Sequence, residues 1–316
     1  MHFSLPKTLF FVLPTLFAAH ASPKDSEPTW QLLTDEPSRA ELFQSYAKNK
    51  IRHPEIGKLS FVFPSVFQFP DAAIRDTNGV LRSNSLFGLD ISHHNGHDFS
   101  VDALKRQNVA FIYVKATQGI DFADPEFGST WVRLAALPEG QQIPRGAYHF
   151  LSSLSSGEQQ AIRFLAYVQL HGGFMPGDLP PAMDLEWDKL HADSEDRWSH
   201  RTTDEIVKIC KDFLNRVKAE TGRTPLIYTN KSFLSDHGIA SNAQLAELTS
   251  GAKVWIFDLS ASDRKIELPD PRKNLKHALW QFSWEGHLSE GNTGTLDVNY
   301  FKGNVAEFKT AFLEVN

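Results

Sequence analysis

From Leu86 onward the sequence alternates between short apolar runs and helical segments, and that alternation restricts the fold more than any single motif. The strand-like runs are 86–92, 109–117, 143–151, 180–186, 225–229, 253–259 and 277–283, with a last short one from Thr295 to Tyr300. Between the early runs lie amphipathic stretches. Ala161, Phe164, Leu165 and Val168 recur at helical spacing. Thr202 and Glu205 form a capping box ahead of Ile206, Ile209, Cys210, Phe213 and Val217, and Gly222 ends that helix. Strands separated by helices imply a parallel sheet, and eight strands imply closure. The expected fold is α/β: a modified (β/α) barrel with about five β/α units followed by three strands.

Residues 1–85 read differently. Lys7 precedes an apolar stretch from Leu9 to Ala18, and Ala19-His20-Ala21 fits a small-residue cleavage site. The run is too short to span a bilayer, so residues 1–21 read as a signal peptide and the protein as exported, to a periplasm or to the medium. Residues 22–85 read as a proline- and phenylalanine-rich extension, with a short capped helix after Pro37, and residues 86–316 as the barrel. In the extension, Phe61, Phe63, Phe67 and Phe69 alternate around Pro64, the mark of an edge strand. Packing of these rings against the barrel is expected ahead of sugar binding, because aromatic stripes more often belong to a core. The net charge of −6 without a basic patch argues against nucleic acid as a partner. The single cysteine, Cys210, falls on an apolar helix face and reads as a buried, inert thiol. A monomer without a membrane span is expected.

Chemistry gathers at the strand ends, where barrels of this class carry their sites. The fourth run ends in Asp184-Leu185-Glu186. Residues two apart on a strand share a face, so both carboxyls point one way, their Cα atoms about 6–7 Å apart. Neighbouring acids raise each other's cost of ionisation, which lets one stay protonated as an acid beside a charged partner. A strand end that caps a helix or pairs with Arg or Lys would use the same spacing. Asp90 in the first strand and Asp297 in the last tip the balance, because four acids from three strands then meet at one rim. Tyr148, Tyr228, Trp187, Trp280 and Gln281 occupy corresponding positions and suit a sugar cleft, where rings stack and polar tips bond hydroxyls. Lys115 reads as a rim residue orienting an acid or a loop. His93, His94 and His97 lack the H-E-x-x-H pattern of a zinc helix, so neither metal nor cofactor is expected.

These blocks, GLDISHHNG, FIYVKATQG, GAYHF, PPAMDLEW, TGRTPLIYT, LWQFS and LDVNYF, resemble in this order glycoside hydrolase family 25, the muramidase-type lysozymes. The resemblance covers about residues 86–304 and implies a modified β/α barrel that hydrolyses the β-1,4 bond between N-acetylmuramic acid and N-acetylglucosamine. It also implies Glu186 as catalytic acid/base, Asp184 as its partner, Asp90 and Asp297 as flanking carboxylates, and peptidoglycan as the substrate. His94 and Asn95 stand where the family often has Trp-Gln. A non-hydrolytic glycan-binding protein and a chitinase-like glycosidase are the alternatives. Because Asp184 and Glu186 leave one strand on one face, an acetamido oxygen of the substrate is the expected nucleophile, with anomeric configuration retained.

Overall fold

The computed structural model describes residues 66–76, 79–95, 99–239, 242–258, 276–292 and 294–314, together with Glu41. Among them eight strands close into a mixed barrel. In sheet order these are β2 (Ser85–Ile91), β3 (Phe111–Gln118), β5 (Arg145–Phe150), β6 (Ala182–Asp184), β7 (Leu226–Asn230), β8 (Lys253–Phe257), β9 (Leu279–His287) and β10 (Leu296–Lys302). The neighbours from β2 to β9 run parallel. β10, the last of the three strands beyond the β/α units, closes the barrel antiparallel to both β9 and β2. The cause is the short connection between His287 and Leu296: a parallel return needs a crossover of a dozen or more residues, whereas a short one gives a hairpin. A two-residue strand, β4 (Phe122–Ala123), folds back on the end of β3.

The barrel interior is filled by side chains. Tyr113 on β3 meets Trp255 on β8 at 4.9 Å between ring centroids, and these strands are not neighbours, so the contact crosses the lumen. Tyr228 on β7 packs edge-on against the same Trp255. Below them Phe111 lies so close over Gly88 that a Cβ there would sit 2.4 Å from the ring. A C-terminal helix, Val305–Phe312, brings Phe308 against Phe111 with centroids 5.0 Å apart and caps that end.

Helices cover the outside of the parallel strands. Gly157–Leu170 starts at a capping box made by Ser156 and Gln159. Thr203–Thr221 starts at the box of Thr202 and Glu205 and ends at Gly222, whose φ of 66° is the left-handed conformation that favours glycine. Its buried stripe is Ile206, Cys210, Phe213 and Val217. The two helices meet tightly because Gly157 has no side chain: a Cβ there would come within 1.9 Å of the Ile209 carbonyl oxygen. Cys210 is fully buried, and desolvation raises its thiol pKa, which keeps it protonated and unreactive.

β1 (Phe67–Gln68) pairs in parallel with the far end of β9, and a short helix, α1 (Asp71–Ile74), follows it. Phe67 and Phe69 are buried in an aromatic cluster with Phe87 and Phe282 on the outer face of the barrel. Residues 66–76 and 79–84 therefore share the barrel's core. The signal-like segment, the helix after Pro37 apart from Glu41, Phe61 and Phe63 lie outside the described residues. No helix among the described residues is long and apolar enough to cross a membrane.

Candidate active site

Strand register decides which side chains share the lumen, because paired residues in adjacent strands project to the same face. Asp90 pairs with Asp297 across β2 and β10, and Asp184 pairs with Tyr228 across β6 and β7. Lys115 pairs with Tyr148, and Phe150 pairs with Asp184. Asp90, Asp184, Asp297, Tyr148, Tyr228, Lys115 and Gln281 thus line one inner surface at the C-terminal end of the parallel strands. Asp90 and Asp184 are each 1 % exposed, while Asp297 is half-buried.

A hydrogen-bonded chain crosses the lumen beneath this surface. Tyr228 Oη donates to Gln281 Oε1 at 2.5 Å, and Gln281 Nε2 donates to Asp90 Oδ2 at 3.0 Å. Asn299 Nδ2 donates to the same Asp90 oxygen at 2.7 Å, and Trp255 Nε1 donates to Asn299 Oδ1 at 2.7 Å. Asn299 and Trp255 belong to the site but escaped the sequence reading. Asn299 was legible, since it stands two residues after Asp297 and so shares its face.

Beyond β6 the chain places acids at alternate positions: Asp184, Glu186 and Asp188, all buried. Leu185 between the first two is in the apolar core, its N–H donating to the Tyr228 carbonyl, so Asp184 and Glu186 face the opposite way from it. Glu186 is 1 % exposed, and its carbonyl oxygen is held by Trp198 Nε1 at 3.0 Å. Asp188 has a different role. Its Oδ2 accepts from Ser152 Oγ, Ser153 N and Ser153 Oγ at 2.8–3.0 Å, and its Oδ1 lies 2.7 Å from Arg197 Nη2. This carboxylate ties the loop after β5 to the loop after β6.

Lys115 is buried, with its Nζ donating to Gln118 Oε1 at 2.8 Å. The ammonium sits 5.3 Å from the Phe122 ring centroid and 5.1 Å from that of Phe150, contacts that stabilise a desolvated cation. Trp187 lies just past the acids, and its indole N–H reaches Asp236 Oδ2 at 3.3 Å.

Trp280 is not brought to the cleft. Adjacent strand residues point oppositely, and Gln281 is committed to the lumen, so Trp280 faces outward. There it donates to the Asp258 carbonyl at 2.9 Å and lines a separate groove of about 840 Å³ with Phe67, Phe87, Phe282 and Tyr300. His149 is likewise turned away from Tyr148. It stacks on Phe213 under the helices, between Thr117 Oγ1 at 2.7 Å and Gln160 Oε1 at 3.1 Å. Complete burial depresses its pKa to about 3, so the ring is neutral. Of the three histidines that invited a zinc reading, His97 lies outside the described residues, and His93 Nδ1 is bonded to Asp124 Oδ2.

The sequence profile of glycosyl hydrolases family 25 matches residues 89–291, well over half of the chain. Lysozyme M1 of Streptomyces globisporus is 30% identical over 235 residues, covering 73% of this chain and 70% of that protein. An N,O-diacetylmuramidase of Chalaropsis sp. is 35% identical over 137 residues, which is 42% of this chain and 61% of that protein. In structure, the chain superposes on the bacterial lysozyme from Streptomyces coelicolor with a TM-score of 0.62 at 26% identity, covering 74% of this chain and 100% of that one.

Proposed function

The chain belongs to glycosyl hydrolases family 25, and from that premise we propose a division of labour within its cleft. It is a glycoside hydrolase of the lysozyme type, a muramidase acting on peptidoglycan. Glu186 acts as general acid toward the leaving glycosidic oxygen and then as general base toward water. Asp184 orients and polarises the 2-acetamido group of the sugar on the other side of the scissile bond, whose carbonyl oxygen attacks the anomeric carbon. Asp90 and Asp297 hold negative charge opposite the oxocarbenium-like transition state.

One observation carries this reading: Asp184 at the end of β6 and Glu186 two residues on are both almost fully buried, with Leu185 packed into the core between them, and we read the two carboxyls as sharing one side. Two carboxyls on one side of the sugar do not form the opposed pair, about 5–5.5 Å apart, that an enzyme nucleophile and acid require. The substrate's own acetamido oxygen supplies the missing nucleophile, and configuration at the anomeric carbon is retained. The segment at residues 1–21 serves as the export signal that takes the enzyme to the wall.

Digestion of purified cell walls tests the proposal. Reducing muramic acid ends with the anomeric configuration retained by NMR are expected, together with resistance of wall that is de-N-acetylated at the cleaved sugar. Efficient cleavage of the de-N-acetylated wall, or an inverted product, would remove the acetamido step. Wall binding without any release of fragments would leave a glycan-binding protein.

A further inference from the structure

His93 opens the 3-10 turn that follows β2, three residues after Asp90. Its backbone N–H and its ring Nδ1 both meet Asp124 Oδ2 at 2.9 Å. Asp124 is itself immobile. It is fully buried, its Oδ1 accepts from the Glu126 N–H at 2.9 Å, and its backbone is bonded to Ala116 and to the Tyr167 hydroxyl. A carboxylate only accepts hydrogen bonds, so the imidazole must donate from Nδ1, and in the neutral ring Nε2 is then the acceptor.

That second nitrogen has no hydrogen-bond partner among the described residues, and the side chain keeps 22 % of its surface open. The ring is linked through neighbouring side chains to the strands that carry the acids. It lies 5.3 Å from Phe122, Phe122 and Phe150 flank the Lys115 ammonium, and Phe150 pairs with Asp184. These contacts link the turn after the strand of Asp90 to the strand of Asp184. A buried acid that fixes one ring nitrogen leaves the other aimed and ready, at the cost of ordering a single side chain.

We propose that His93, oriented by Asp124, is a positioning residue of the muramidase that makes a hydrogen bond through Nε2 to a hydroxyl of the bound glycan strand. The inference rests on the reading of the cleft given above. It adds a contact that neither the acids nor the aromatic residues supply. A residue whose only task was to clamp the loop would need its backbone N–H and Nδ1, and nothing at Nε2.

Two variants of the full chain separate those roles. In His93→Asn the amide reaches the place of Nδ1, keeps the bond to Asp124 and leaves nothing at Nε2. In His93→Gln the longer amide reaches the place of Nε2 and gives up the clamp. With a soluble tetrasaccharide of alternating N-acetylglucosamine and N-acetylmuramic acid, His93→Asn should raise KM roughly 5–10-fold, the worth of one neutral hydrogen bond. Its kcat and unfolding midpoint should stay near wild type. His93→Gln should recover much of the KM while unfolding earlier. Wild-type KM in His93→Asn would overturn the proposal, as would KM changes that merely follow lost stability. Should the wild type release nothing from cell walls, the reading of the cleft fails first. The ¹⁵N shift of His93 Nε2 on adding the tetrasaccharide then decides the contact without turnover: movement supports it, and a static resonance refutes it.

Discussion

The two faces of the barrel strands differ sharply, often one residue apart. On β9, Gln281 bonds Asp90 inside while Trp280 and Phe282 pack outside against Phe67, Phe87 and Tyr300. On β5, Tyr148 lines the lumen while His149 stacks under the helices. The upper inner face carries buried acids, amides and a lysine. Each of these is costly to desolvate, and their mutual hydrogen bonds return only a modest net gain. The outer faces carry apolar rings, which contribute about 1.5–3 kcal/mol each on burial. Stability therefore resides in the apolar rings of the outer faces and of the lower interior, and chemistry inside the upper rim.

The sharpest test of that separation is Glu186→Gln. The change is isosteric and removes the only proton the leaving oxygen can receive from this residue. Turnover on cell wall should fall roughly 10²–10⁴-fold, while wall binding and the thermal midpoint hold. A variant that kept near wild-type turnover would dismiss Glu186 as the acid. The opposite test is Phe282→Ala on the outer face, where Phe282 touches Phe67, Phe87 and Trp280. Emptying that site should cost about 3–5 kcal/mol in urea unfolding with little change in kcat per folded molecule. A loss of kcat as large as that of Glu186→Gln would show that the two faces are coupled.

A smaller effect comes from pH. His149 has its pKa depressed by burial to about 3, against 6.5 as its ordinary value. The unfolded chain therefore takes up this proton first as pH falls. The group's contribution is intact above the unfolded value and is lost progressively between there and the folded one. By about pH 4 the loss should be on the order of 3 kcal/mol. His149→Gln keeps polar atoms between Thr117 and Gln160 without titrating, so its stability should fall less steeply over that window. Equal slopes for the two proteins would assign the acid sensitivity elsewhere.

Much of this was legible in the chain. Strand positions followed from apolar runs between helical stretches, and the box at Thr202 and Glu205 with its stop at Gly222 stands in the structure as read. The alternation D-x-E put Asp184 and Glu186 on one face, and the same rule applied to LDVNYF would have added Asn299 to Asp297. Trp280 stands next to the inward-facing Gln281, so the same alternation turns its indole out of the cleft. Asp188 continues the alternation of acids but is engaged by hydrogen bonds from Ser152 and Ser153 and by an ion pair with Arg197, partners that come from both sides of it along the chain.

The sequence alone determined the elements, their order and the face each residue takes within its own strand, because those depend on local spacing and backbone preference. Tertiary structure decided the direction of β10 and the convergence of Asp90, Gln281, Asn299 and Tyr228. It also decided that Asp124 holds His93, 31 residues away along the chain. These outcomes depend on loop length, barrel closure and strand register, and a one-residue shift in register would turn the same side chains to the opposite face.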